Sequence, residues 1–241
     1  AGSELFLGHL QLIVLGKGLS FSVPEEVFAP FFNEGSIYPG VYLATAQNAG
    51  EIVSFPIKEN AVTAENYHLI LENAAARGKA FNARLIDIHN TLEQCGALAL
   101  PFLEITGSEE ERCLDVTKSI IMRENGFENG YITGEECSLL SLLTDRPEER
   151  GVPYEIRLDG EVIPISRIKS EIAFDKKGGG LLCRVKITAK AGDAVAAGLD
   201  ERLSAALSAE LKRYILQEGA DIAGLFSHLR LRMPALYAKQ G

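Results

Sequence analysis

No run of apolar residues in this 241-residue chain approaches the roughly 18–20 that a membrane-spanning helix needs. The first apolar stretch has no basic flank and is interrupted by Gln11 and Gly16, so it does not read as a secretory signal. The four cysteines, at 95, 113, 137 and 183, form no C-x-x-C pair, and the four histidines, at 9, 68, 89 and 228, form no H-E-x-x-H. Zinc chemistry therefore lacks its ligand spacing, and no metal or other cofactor is expected. Gly16-Lys17-Gly18 lacks the further glycine and the Lys-Ser/Thr pair of a phosphate loop and reads as a turn. Ser166-Arg167-Ile168-Lys169 has the S-x-x-K spacing of some Ser-Lys acyl enzymes, but it falls on a predicted strand, where i and i+3 face opposite ways. Glu109-Glu110-Glu111 reads as solvated loop charge. Nothing here supports an enzyme.

The composition is that of a folded protein. Hydrophobic residues make up 46% and charged residues 24%, which excludes a disordered chain. A chain of this size buries roughly 70% or more of the surface its unfolded form exposes, so it needs no disulfide. The cysteines accordingly read as reduced and mostly buried. The net charge of −9 argues against a nucleic-acid partner, yet it is unevenly spread. Residues 1–60 carry 2 basic and 6 acidic side chains and residues 61–150 carry 8 and 16, whereas residues 151–241 carry 14 and 11. The last third is electrostatically distinct.

Pattern and punctuation divide the chain into three blocks, 1–60, 61–148 and 149–241, with Pro147, Gly151 and Pro153 near the second boundary. In the first, apolar runs at Leu10–Leu15 and Gly40–Ala46 read as strands. Between them lies a helix that Ser22 and Glu25 cap, with Val27, Phe28, Phe31 and Phe32 on its apolar face. That connection suits a parallel βαβ unit, whose two strands need further neighbours from later in the chain or a domain that begins upstream. In the second, Thr63 starts a helix with Tyr67, Ile70, Leu71 and Ala74 on one face, ended by Gly78. Asn82 caps the next, with Leu85, Ile88 and Leu92. Residues 98–105 and 115–123 read as strands, two Asn-Gly turns follow, and Thr133–Glu136 is a capping box before a leucine-rich helix. In the third, Asp159-Gly160 joins Tyr154–Leu158 to Glu161–Ile165, and Lys176–Gly180 joins Arg167–Asp175 to Leu181–Ala191. A helix with Leu199, Leu203, Leu207, Leu211 and Ile215 comes next, and after Gly219 a last one runs to Pro234. The expected fold class is α+β: a mixed sheet with helices in the N-terminal part, then an antiparallel sheet packed by long helices. Along Leu181–Ala191, alternation puts Arg184, Lys186 and Lys190 on one side and Cys183, Val185 and Ile187 on the core side. These three cations form a candidate membrane- or partner-facing surface.

The C-terminus carries a family resemblance. Ala220-Asp221-Ile222-Ala223-Gly224, Leu229-Arg230 and Pro234 with Tyr237 resemble the closing motif of the C-type spore germinant receptor proteins, a family of spore germination lipoproteins, with Phe226 in place of the motif's second glycine. Ile168–Lys190 resembles the basic hairpin of that family's third domain. Gly130 with Thr133–Glu136, and Tyr67–Pro101, resemble parts of its second domain; Leu5–Gly16 resembles a strand of its first. On this resemblance the chain lacks the lipoprotein signal, the lipid-carrying cysteine and the first part of domain one. It then holds the remainder of domain one (1–60), a small α+β second domain (61–148) and the third domain (149–241). The resemblance implies a non-catalytic, lipid-anchored subunit on the outer face of the inner spore membrane, partnered by two integral membrane subunits and acting in nutrient-triggered germination. An anionic lipid surface is a further candidate partner, because one acyl chain gives only marginal membrane residence. The alternative reading is a small-ligand-binding module on the outer face of a membrane, which requires a concave pocket with converging polar groups.

Overall fold

The computed structural model of the chain describes residues 9–19, 24–33, 37–56, 63–88, 91, 96–108, 111–123, 126–128, 130–143, 154–177, 180–191 and 198–217. The expected crossover is present: β1 (Leu12–Gly16) runs parallel to β2 (Tyr42–Ala46), and α1 (Pro24–Asn33) lies in the connection between them. β2 is buried along its whole length because it has a neighbour on each side and cover on each face. Its second neighbour is β3 (Leu98–Thr106), also parallel, with Thr45 opposite Phe102. The first two strands thus find their partner in the second sequence block, and one sheet runs across position 60. Antiparallel to β3 lies β4 (Cys113–Arg123). β5 (Gly126–Phe127), which starts at the glycine of the first Asn-Gly site, and β6 (Ile132–Thr133) return antiparallel along β4.

Helices cover both faces of this mixed sheet. Phe28 of α1, fully buried, packs with Leu85 and Ile88 over Leu43, Leu100, Ile120 and Met122. On the other face, α2 (Ala49–Val53) and α3 (Thr63–Ala76) bring Ile52, Tyr67, Leu71 and Ala74 against Ala44, Ala46 and Val116. Tyr67, Leu71 and Ala74 recur at helical spacing, as their pattern predicts, and a side chain such as Leu71 contributes roughly 1.5–3 kcal/mol on burial.

Two local expectations need correction. Asn82 does not cap the next helix; α4 is a single turn, Leu85–Asp87, with Arg84 at its N-cap. The reason is tertiary. The Leu43 N–H donates to the Ala83 carbonyl, and Tyr42 and Arg84 form an isolated antiparallel bridge, so the chain is held extended through residue 84. The four strands expected after residue 153 are three: β7 (Tyr154–Leu158), β8 (Glu161–Lys177) and β9 (Gly180–Ala191), in the order β7-β8-β9. β8 is one 17-residue strand with a bulge between Ser166 and Lys169, where Arg167 takes φ +51°. The Asp159-Gly160 hairpin is as predicted, both residues having the positive φ of a type I′ turn.

Between the two sheets sits α5 (Gly134–Leu140), followed by a 3₁₀ turn, Ser141–Leu143. Its capping box forms as expected: the Thr133 N–H donates to Glu136 Oε2 (2.6 Å) and the Glu136 N–H to Thr133 Oγ1 (3.3 Å). Cys137 and Leu140 pack with Ile121 and Ile132 of the mixed sheet, while Leu139, Leu142 and Leu143 pack with Tyr154, Ile156 and Phe174. One helix therefore feeds both cores. α6 (Leu199–Leu211) lays Leu199, Leu203, Leu207 and Leu211 on the three-stranded sheet and continues as a π-helical stretch, Lys212–Gln217. There Tyr214 is buried with Phe81 and Ile121 of the other core. The fold class is α+β. Ser22, Cys95, the 146–153 boundary and the C-terminal motif around Ala220–Tyr237 lie outside the described residues.

Candidate functional site

Alternation in β9 places Arg184, Lys186 and Lys190 on the exposed face of the three-stranded sheet, with Cys183, Val185 and Ile187 packed inward. The register brings carboxylates to the same face from β8. Arg184 Nη2 lies 2.5 Å from Asp175 Oδ2, and Lys186 Nζ lies 3.9 Å from Glu171 Oε2. Lys169 Nζ donates to Glu171 Oε1 at 2.7 Å, and this ion pair holds the Glu171 carboxyl below its ordinary pKa. The face is therefore a ladder of mixed sign, with four cations to two carboxylates.

The bulge alters the Ser166/Lys169 geometry. Both side chains now share the outer face, contrary to the simple strand expectation, but they do not meet chemically. Ser166 Oγ donates to the Lys190 carbonyl (3.4 Å) and Lys169 is occupied by Glu171. The cysteines also depart from expectation: Cys137 is buried and Cys183 half-buried, but Cys113 is exposed on β4; none of these three forms a disulfide. Among the described residues no cluster of metal-ligating side chains occurs.

Two polar features were not anticipated. The first is a half-buried network at the start of β2. The Tyr42 hydroxyl donates to Glu72 Oε1 (2.7 Å) and accepts from Arg84 Nη2 (3.3 Å), while His68 Nε2 lies 2.8 Å from Glu72 Oε1. Burial, then the hydrogen bond to Glu72, raises the Tyr42 pKa above its ordinary value. The second is a cleft of about 320 Å³ between α5 and the β7–β8 hairpin, lined by Lys79, Thr117, Gly134, Glu135, Arg157 and Glu161 among others. Thr117 is the extra residue of a bulge in β4, because Phe102 pairs with Lys118 and Leu103 with Val116. Gly134 forms part of the lining at close quarters: a Cβ there would lie 2.8 Å from the Thr117 carbonyl oxygen and 3.8 Å from Arg157 Cδ.

Residues 1–105 match the family model of the spore germination protein N-terminal domain. The segment contains the resemblance at residues 5–16 and 67–101, and the Tyr42 network lies within it. A solved structure, titled "Crystal Structure of the GerBC protein", is similar with a TM-score of 0.63 and 14% identity, covering 96% of this chain and 72% of that one. At that identity the likeness is one of fold. No curated protein matches the chain. The chain thus resembles the C-type spore germinant receptor proteins: residues 1–105 are similar to a spore germination N-terminal domain, and the fold is similar to that of the GerBC protein. Among the described residues no helix is long and apolar enough to cross a membrane.

Strand alternation was sufficient to find the face of β9. It also gives Arg157 its side of β7, since Tyr154, Ile156 and Leu158 are the buried set. It does not reveal that α5 stands against that side, because Lys79, Thr117, Gly134 and Arg157 come from four separate elements and turns.

Proposed function

We propose that the chain is the non-catalytic C-type component of a spore membrane germinant receptor, acting through protein–protein contacts in nutrient-triggered germination. The observation that carries this reading is the match of residues 1–105 to a spore germination domain; the fold likeness to the GerBC protein over 96% of the chain agrees with it. On this reading the full-length protein is lipid-anchored at the outer face of the inner spore membrane, beside integral membrane subunits. The face of Arg184, Lys186 and Lys190 then meets an acidic patch on one of those proteins rather than lipid. Its two carboxylates leave a net charge of only about +2 from the six charged groups named above. At about 1 kcal/mol per basic group near an anionic leaflet, so small an excess gives weak membrane binding. A protein partner can instead pair with individual side chains.

The test is co-purification from spores, with R184Q/K186Q/K190Q as the comparison. The wild-type chain is expected to bring down integral membrane subunits, and the triple variant to lose most of them. Failure of the wild type to retain any integral membrane protein of the receptor would overturn the receptor reading. Salt-sensitive sedimentation of the wild type with anionic vesicles, abolished in the triple variant, would reassign the face to lipid.

A further inference from the structure

We propose that the cleft between α5 and the β7–β8 hairpin binds a small molecule through a carboxylate held by Lys79 and Arg157. The inference goes beyond the receptor reading and rests on which lining groups are already engaged. Glu135 Oε1 accepts from the Asp159 N–H (2.7 Å), Glu161 lies 3.4 Å from Arg202 Nη2, and Thr117 Oγ1 donates to Glu104 Oε2 (3.4 Å). The cations are less satisfied. Lys79 has no side-chain partner among the described residues, and Arg157 uses Nη2 on Glu155 (3.2 Å) and has no hydrogen bond from Nη1 among the described residues. At about 320 Å³ the cleft falls at the lower end of the size range of small-molecule sites, and it lies at the junction of two sheets, a favoured location for them.

The charges of the lining select the ligand's charge. Two cationic residues line it, but so do Glu135 and Glu161, so a single negative charge is accommodated and a doubly charged phosphate is repelled. A guanidinium presents its donors in one plane, which suits the two oxygens of a carboxylate.

Amide chemical shifts of the full ¹⁵N-labelled chain, titrated with sodium butyrate, test the site. Butyrate is expected to give saturable shifts at Lys79, Thr117, Gly134 and Arg157, and the isosteric neutral butyramide to give none. Lys79→Gln should weaken butyrate binding about tenfold or more, as should Arg157→Lys, which keeps the charge but removes the planar fork. Lys190→Gln, on the distant sheet face, should leave it unchanged. Absence of saturable butyrate shifts would overturn the proposal, as would equal shifts with butyramide, unchanged binding in Lys79→Gln, or binding of inorganic phosphate in place of butyrate. None of these outcomes depends on co-purification of receptor proteins.

Discussion

Asp87 illustrates how burial works against a local cap to set a single side chain. Burial raises its carboxyl pKa above the ordinary value, against the pull of the Arg84 N–H, which donates to Asp87 Oδ2 at 2.7 Å, and of the Arg84 guanidinium. With the folded pKa above the unfolded one, the contribution tied to the protonated acid is full below the unfolded pKa of about 4 and is lost as pH rises through the folded pKa. At neutral pH the ionised carboxylate is thus a residual cost. Asp87→Asn keeps an acceptor for the Arg84 N–H and carries no charge. The variant is expected to be at least as stable as wild type near pH 7, with its advantage shrinking as pH is lowered through about 4. Urea midpoints across that range check it, and an advantage that grew in acid would contradict the sign. The apolar pair Leu85 and Ile88 was legible in the sequence, but the cap was not. Asn82 has the right side chain for capping, and the hydrogen bond from Leu43 to Ala83 with the Tyr42–Arg84 bridge delays the helix by two residues.

At the scale of elements, what the sequence disclosed was whatever local chemistry decides. The Asp159-Gly160 turn, the Thr133 capping box and the Tyr67–Ala74 helix face each need only a few neighbouring residues. β8 needed more. Ile163 and Ile165 face the core before the bulge and Ile168, Ile172 and Phe174 after it, a change of parity that reads as two separate strands. The bulge reconciles them by placing one extra residue in β8, and the left-handed backbone at Arg167 costs on the order of 1–2 kcal/mol for a non-glycine residue. A specific consequence concerns deletions. Removing Arg167 leaves Ile165 and Ile168 two positions apart, in regular alternation, so Ile163, Ile165, Ile168, Ile172 and Phe174 all stay on the core face. Removing Glu171 instead turns residues on one side of the deletion outward. The expected outcome is that ΔArg167 stays folded with a loss of no more than about 2 kcal/mol, whereas ΔGlu171 loses several, at roughly 1.5–3 kcal/mol per exposed Ile or Phe. Equal losses in denaturant unfolding would mean that the bulge does not carry the parity change.

For the whole molecule, the sequence marks 146–153 as a boundary by charge, Pro147, Gly151 and Pro153, and the two sheets fall on either side of it. We read the C-terminal part, 149–241, as a domain in sequence but not as an independent body. The Tyr154 hydroxyl donates to the Ser138 carbonyl (2.6 Å), the Arg157 N–H to Ser138 Oγ (3.0 Å), and the Glu155 N–H to the Arg77 carbonyl (3.2 Å). Leu139, Leu142 and Leu143 enter the core of the C-terminal sheet, and Tyr214 returns from the π-helical end of α6 into that of the N-terminal sheet. Side chains are exchanged in both directions, so separation exposes apolar surface on each half and takes Tyr154 and Arg157 away from Ser138, itself fully buried. Ordinary interdomain contacts are more polar and allow relative motion. The chain cut once between residues 146 and 153 is therefore expected to elute from a native sizing column as one species at the intact mass, and to come apart only in denaturant. Ser138→Ala removes the acceptor of the Arg157 N–H in a buried place and should cost about 1–3 kcal/mol, loosening the cut complex before it affects the intact chain. Two separately eluting fragments from the cut wild-type protein would show instead that the halves are autonomous, and that the shared helix and Tyr214 contribute little to holding them together.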